Sequence, residues 1–197
     1  MSEIWRIPTP DFHIEWHYLP MTIQVFPASL SDCRAIAQIH VDAWRAAYAG
    51  ILSADYLDSL SVDERDSMWR TVVERGSPRL LIAKTKEQLA GWVAFGESRD
   101  KGAAADCGEI WAINVTPSAW SKGVGRTLLQ AARAQLAQTG YRAVSLWVIR
   151  DNTRAILFYR TAGFTREEGS EKYREIGGSR VTQTRFNARL REEPKAS

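Results

Sequence analysis

Apolar and polar positions alternate with two different periods along this chain, and the changes of period mark its elements. The stretch "MTIQVFPAS", from Met21, alternates with a period of two and ends in a turn, which predicts a first strand. Ser31 and Asp32 can cap a helix, and Ile36, Ile39, Ala43 and Ala47 follow at helical spacing. The pattern in "YAGILSADYLDSL" breaks at Gly50 and restarts after Ser53. "SVDERDSMWRTVVERG" opens with a capping pattern and closes at Gly76, predicting another helix. "RLLIAK" and "QLAGWVAFG" read as a hairpin around Lys86, "SRDKGAAADC" as a loop, and "GEIWAINVTP" as a strand stopped by Pro117. "GVGRTLLQAARAQLAQTG" predicts a helix closed by Gly140, and "AVSLWVI" a buried strand. "DNTRAILFYRTAG" predicts a helix from an Asp/Asn cap to a glycine stop. "SEKYREI" and "SRVTQTRFNARL" read as strands joined at Gly177-Gly178. Residues 1–20, with Pro8, Pro10 and Pro20, show no period and are expected to be an extension. The domain is expected over 21–190 and a polar tail over 191–197. The order β-α-α-α-β-β-β-α-β-α-β-β predicts an α/β (α+β) domain, a mixed sheet with helices against it.

Composition narrows this picture little. The 197 residues suffice for one domain with a proper core, and shares of 45% hydrophobic and 25% charged residues are ordinary for a globular protein. A net charge of +3 is too weak to argue for nucleic acid by itself. Cys33 and Cys107 show no metal-ligand or disulfide spacing and read as buried thiols of a reducing cytosol. No apolar run is long enough to span a membrane, and Asp11, His13 and Glu15 interrupt the start where a signal peptide would be apolar. The expectation is a cytoplasmic protein without metal, nucleic acid or membrane as partner.

The chemistry-bearing stretch is "AWSKGVGRTLLQ", Ala119 to Gln130, between a strand and a helix. A helix start offers unpaired N–H groups and partial positive charge, and glycines let a ligand approach the backbone. With Lys122 and Arg126 beside it, this turn can cradle a phosphate. A P-loop would need Gly-x-x-x-x-Gly-Lys-Ser/Thr, which is missing. A dinucleotide fingerprint would need glycine at Leu128 and an acidic residue near Val148, Ile149 and Arg150.

With "INVTPSAWSKGVGRTLL" followed one strand later by "NTRAILFYRTAGF", the sequence resembles the GNAT superfamily of N-acetyltransferases. The family pattern is Arg/Gln-x-x-Gly-x-Gly/Ala, then Asn-x-x-Ala-x-x-x-Tyr and Gly-Phe. The likeness runs from about Thr22 to Leu190 and implies a mostly antiparallel sheet of about seven strands flanked by about four helices. It implies acetyl-CoA as co-substrate, with its pyrophosphate on Ser121, Lys122, Gly123, Val124, Gly125 and Arg126. It implies backbone contacts to the pantetheine arm from Ile113, Asn114 and Val115, and support of that arm by Asn152. Trp120 departs from the family, standing where Arg or Gln is usual, and Ser121 stands where glycine is frequent.

Acetyl transfer to an amine needs a neutral nucleophile, a place for the oxyanion and a proton for the thiolate. Asn152, Ala155 and Tyr159 share one helix face, and Tyr159 matches the family's usual general acid. Glu109, six residues before Val115, matches the catalytic glutamate of the histone-modifying branch; a solvent-facing strand end is the competing reading. The strand "SLWVI" carries Trp147 where other branches carry a glutamate. Trp44 and Tyr48, one helical turn apart, are candidate acceptor-pocket residues, with Trp92, Trp111, Glu97 and Arg99 as weaker ones. The resemblance implies a primary amine as acceptor, on a small molecule or a peptide N-terminus, and makes a homodimer one of the expected states. Two other readings stay open here: a CoA-binding sensor of the same fold, and a nucleic-acid binder using the basic turn.

Overall fold

The computed structural model describes residues 22–86 and 88–190; the expected extension and tail lie outside the described residues. The strands are β1 (Ile23–Pro27), β2 (Arg79–Thr85), β3 (Gln88–Glu97), β4 (Cys107–Val115), β5 (Ala143–Ile149), β6 (Thr165–Arg166), β7 (Lys172–Ile176) and β8 (Ser179–Arg189). The helices are α1 (Cys33–Ala47), α2 (Ala54–Ser59), α3 (Val62–Arg75), α4 (Val124–Gln138) and α5 (Thr153–Thr161). One sheet runs β1-β2-β3-β4-β5-β8-β6, and β7 also pairs with β8. Among the strands of the described residues, only β4 and β5 pair in parallel. The two-residue β6 is too short to show a period, which is why seven strands were expected and eight are found.

Alternation in the strands sends apolar side chains to both faces. On one face α4 and α5 pack Val124, Leu128, Leu129 and Tyr159 against Val93, Phe95, Ile110, Leu146 and Phe186. On the other, α1 and α3 bury Ile36, Ile39 and Trp69 against Ile82 and Trp92. Farther along that face, Val41, Leu52 and Leu57 cover Ile149 of β5 and Val181 of β8.

Two details shape the site. First, β4 and β5 pair only through Cys107–Glu109 and Ala143–Ser145; beyond Ile110 the strands have no common ladder. Their antiparallel neighbours stay paired, β3 with β4 up to Val115 and β8 with β5 up to Ile149, so the gap is confined to the middle of the sheet. Second, the α1–α2 link is fastened to the β7–β8 turn. Ser53 Oγ donates to the Gly177 carbonyl at 3.4 Å, and the Ser53 N–H donates to Ser179 Oγ at 3.2 Å. Tyr56 lies so close over Gly177 that a Cβ there would come within 2.0 Å of the ring, and Gly177 also has φ +54°.

Candidate active site

The glycine turn follows β4 through a single 3-10 turn, Pro117–Ala119, and delivers the chain into α4. Gly123 has φ +92° and opens α4, where the first N–H groups lack helical carbonyl partners. Ser121 has φ +60°, a left-handed conformation unusual for a residue with a Cβ. A Cβ at Gly125 would meet the Phe158 ring of α5 at 3.4 Å, an ordinary van der Waals contact, so the start of α4 packs directly against α5. Val124 is fully buried, leaving only its backbone for a ligand, whereas Lys122 and Arg126 are exposed at the rim.

Trp120 has a clear structural role. Its Nε1–H donates to the Val115 carbonyl at 2.8 Å, and the Arg154 guanidinium stacks 4.0 Å from its ring centroid. Arg154 also donates to Ser121 Oγ at 3.3 Å. The turn is therefore tied to the end of β4 by the indole and to α5 by an arginine. Arg154 is a third cation at this rim and was missed in the sequence, although it lies two residues after Asn152.

Ile113, Asn114 and Val115 line the part of β4 whose β5-facing edge is unladdered. Asn152 caps α5, its Oδ1 accepting from the Ala155 N–H at 3.0 Å. Its carboxamide also meets the Tyr48 side chain just after α1. Burial pushes the Tyr48 phenol above the usual tyrosine range, and the bond from Asn152 partly offsets this. Tyr159 is 8% exposed and packs between Phe158 and Phe164, with ring centroids 5.1 and 5.7 Å away. Burial first, and then repulsion from Tyr48, pushes its phenol far above the usual range. The fold thus brings together three expected site residues: Tyr48 from α1, and Asn152 and Tyr159 from α5. Trp44 stacks edge-on against Tyr48 at 5.0 Å.

Glu109 is elsewhere on the sheet face that carries α1. It is 1% exposed, and its carboxylate accepts from the Arg99 backbone N–H at 2.8 Å and from the Arg99 guanidinium. That guanidinium lies 4.5 Å from the Trp111 ring centroid, and Trp111 Nε1–H donates to the Glu97 carbonyl at 3.0 Å. The neighbouring Asp100 accepts from Trp147 Nε1–H at 2.7 Å and from Lys172 Nζ at 3.4 Å, with Arg185 3.7 Å away. The β3–β4 loop is thereby folded over β5 and β7. Sequence reasoning could not supply this network, because its members are far apart in the chain.

Of the weaker candidates, Trp92 is a fully buried core residue. It packs with Trp69 and His40, and His40 Nδ1 accepts from Trp69 Nε1–H at 3.2 Å. Burial, with a smaller contribution from Arg65, pushes the His40 pKa down to about 3. Among the described residues, no group of three His, Cys, Asp or Glu could hold a metal ion, and no helix is long and apolar enough to cross a membrane.

The frame of the site is thus an open mixed sheet parted between its two parallel strands, with a glycine turn at the gap. The sequence model of the acetyltransferase (GNAT) family matches residues 34–164, and the chain belongs to this family of transferases. It is 33% identical over 160 residues to the uncharacterized N-acetyltransferase YuaI of Bacillus subtilis, across 81% of this chain and 88% of that protein. It is 25% identical over 153 residues to a spermidine N(1)-acetyltransferase of Thermoplasma acidophilum, covering 75% of this chain and 91% of that one. The fold is shared with the PaiA N-acetyltransferase of the same organism, solved in complex with coenzyme A. The TM-score is 0.64 at 22% identity, over 86% of this chain and 99% of that one.

Proposed function

We propose that the chain transfers the acetyl group of acetyl-CoA to a primary amine by direct attack in a ternary complex. The observation that carries this reading is the gap between β4 and β5, with the glycine turn at its end, Asn152 at the start of α5 and Tyr159 in its last turn, close enough to Tyr48 for the two phenols to act on each other. The residues present fit the co-substrate. Gly123 leaves its turn open except for Ile23 at 3.5 Å, three cations ring it, and the unladdered edge of β4 offers backbone groups to an amide-bearing arm.

In this reading residues 121–126 hold the pyrophosphate and Ile113, Asn114 and Val115 the pantetheine amides. Acetyl-CoA supplies an activated acetyl thioester. Tyr159, kept protonated by burial, donates its proton to the departing thiolate. Trp44 and Tyr48 border the acceptor, an amine on a small molecule or a peptide N-terminus. The spermidine enzyme among the relatives supports an amine acceptor. The buried Glu109 carboxylate has its oxygens taken by the Arg99 backbone N–H and guanidinium, so Glu109 serves here as a positioning residue for Arg99. The amine loses its proton to water before attack.

The direct test is an amine panel, including polyamines, amino acids and short peptides, followed by release of free CoA thiol. Thiol release with at least one amine supports the reading. Tight acetyl-CoA binding with no release across the panel would instead assign the chain as a CoA-binding sensor.

A further inference from the structure

Lys172 presents a primary amine on the sheet face opposite α4 and α5, the face that also carries α1, Glu109 and Trp147. Its Nζ sits 3.2 Å from the centroid of the Trp147 ring and 3.4 Å from Asp100 Oδ1. Trp147 lies two residues beyond the last residue that β5 pairs with β4, where the strands have begun to part. The Lys172 backbone is opposite Gln183 on β8, and Gln183 is opposite Ile149 on β5. At about 4.8 Å per strand, Lys172 is two spacings, about 10 Å, from the edge of the gap. Its flexible four-carbon stem already leans towards β5. Glu109, the last β4 residue paired with β5, joins Asp100 in favouring its charged form.

We propose that Lys172 is itself an acetyl acceptor, an internal modification site loaded from an acetyl thioester seated in the gap. This rests on the proposed acetyl-CoA reading. The ammonium first releases a proton to water, and the neutral Nζ attacks the thioester carbonyl carbon. The C–N bond forms, the C–S bond breaks, the nitrogen loses its second proton, and the CoA thiolate leaves with a proton as the free thiol. The product is a neutral acetyl-lysine. Partial burial works in favour of the first step, because it lowers the pKa of Lys172 against the opposing pull of Asp100 and Glu109. Acetylation removes the ammonium from the Trp147 ring and leaves Asp100 with Arg185 and the indole N–H. The modified side chain would change the wall that an external amine meets.

The test incubates the full chain with acetyl-CoA and no amine, then locates acetyl groups by intact mass and peptide mapping. One acetyl group at Lys172 is expected, formed at a rate independent of protein concentration. Lys172→Arg, which keeps the charge, should abolish it, and Tyr159→Phe should slow it by about tenfold or more. The exposed Lys101 and Lys122 are internal controls. Equal labelling of those lysines, or unchanged labelling of Lys172 in urea-unfolded chain, overturns the proposal. Absence of label despite calorimetric binding of acetyl-CoA overturns this inference alone. Absence of binding overturns the acetyl-CoA reading with it.

Discussion

The indole N–H of Trp120 donates to the Val115 carbonyl, joining the glycine turn to the end of the strand beside the gap. A neutral bond of this kind contributes about 1 kcal/mol net. Trp120→Phe keeps a ring under Arg154 but frees the carbonyl, so acetyl-CoA affinity should fall roughly fivefold. Titration calorimetry on the two proteins checks this. An unchanged affinity would mean that the turn holds its shape without the tie.

Ser121 and Gly123 make opposite predictions about the same turn. Ser121 holds a left-handed backbone that costs a residue with a Cβ about 1 kcal/mol, so Ser121→Gly should raise stability by up to that amount. Gly123→Ala should lower it by about as much, given φ +92°. Thermal unfolding of both variants reads the signs directly.

Tyr159→Phe should lower kcat about a hundredfold or more while leaving acetyl-CoA binding nearly intact. Because burial raises the Tyr159 pKa, the wild-type rate should show no alkaline loss from this group near pH 10, where an ordinary tyrosine ionises. The stability linked to this phenol is complete below that unfolded value and declines above it, as the unfolded chain ionises first. A rate profile that falls well below pH 10 with a tyrosine-like ionisation would remove Tyr159 from the acid role.

His40 predicts acid sensitivity. Its folded pKa of about 3 lies below the ordinary value of 6.5, so the unfolded chain binds a proton first as pH falls. Its contribution is therefore present above pH 6.5 and is lost on the way down to about 3. The expected loss between pH 7 and pH 5 is about 2 kcal/mol. Denaturant unfolding at both pH values should show a smaller loss in His40→Gln, whatever that variant's own stability.

Glu109 and Arg99 separate a positioning role from a proton-accepting one. Glu109→Gln keeps the shape and should change kcat by less than about threefold, whereas loss of a true general base costs about a hundredfold. Arg99→Ala should destabilise by about 2 kcal/mol, less than for a fully buried pair because the arginine side chain is 51% exposed. Steady-state kinetics and denaturant midpoints together decide between the two.

Local signals carried much of this fold into the sequence. Gly76 and Asn152 bound their helices as capping chemistry requires, and the Lys86 and Gly177-Gly178 turns join strands where the periods change. The glycine turn was readable for the same reason: its residues are neighbours and its backbone demands are specific. Contacts across the chain were not. Nothing local says that Arg99 will reach Glu109, that Arg154 will lie on Trp120, or that Asn152 will bond Tyr48. Trp92 and Trp111 look alike as aromatic strand residues, yet one is sealed beneath α1 and α3 and the other supports an arginine. That difference follows from which elements cover each strand, which periodicity does not encode.

The short pairing of β4 with β5 makes the sheet two half-sheets on a three-residue hinge. One half holds β1 to β4 and the other β5 to β8; past the hinge they are bridged by α4 and α5 on one face and by α1 and α2 on the other. A guest that hydrogen-bonds both lips of the gap acts as the missing rung between them. Amide hydrogens along Ile110–Val115 should then exchange more slowly with the guest seated, making the wedge that parts the halves also the mortar that joins them.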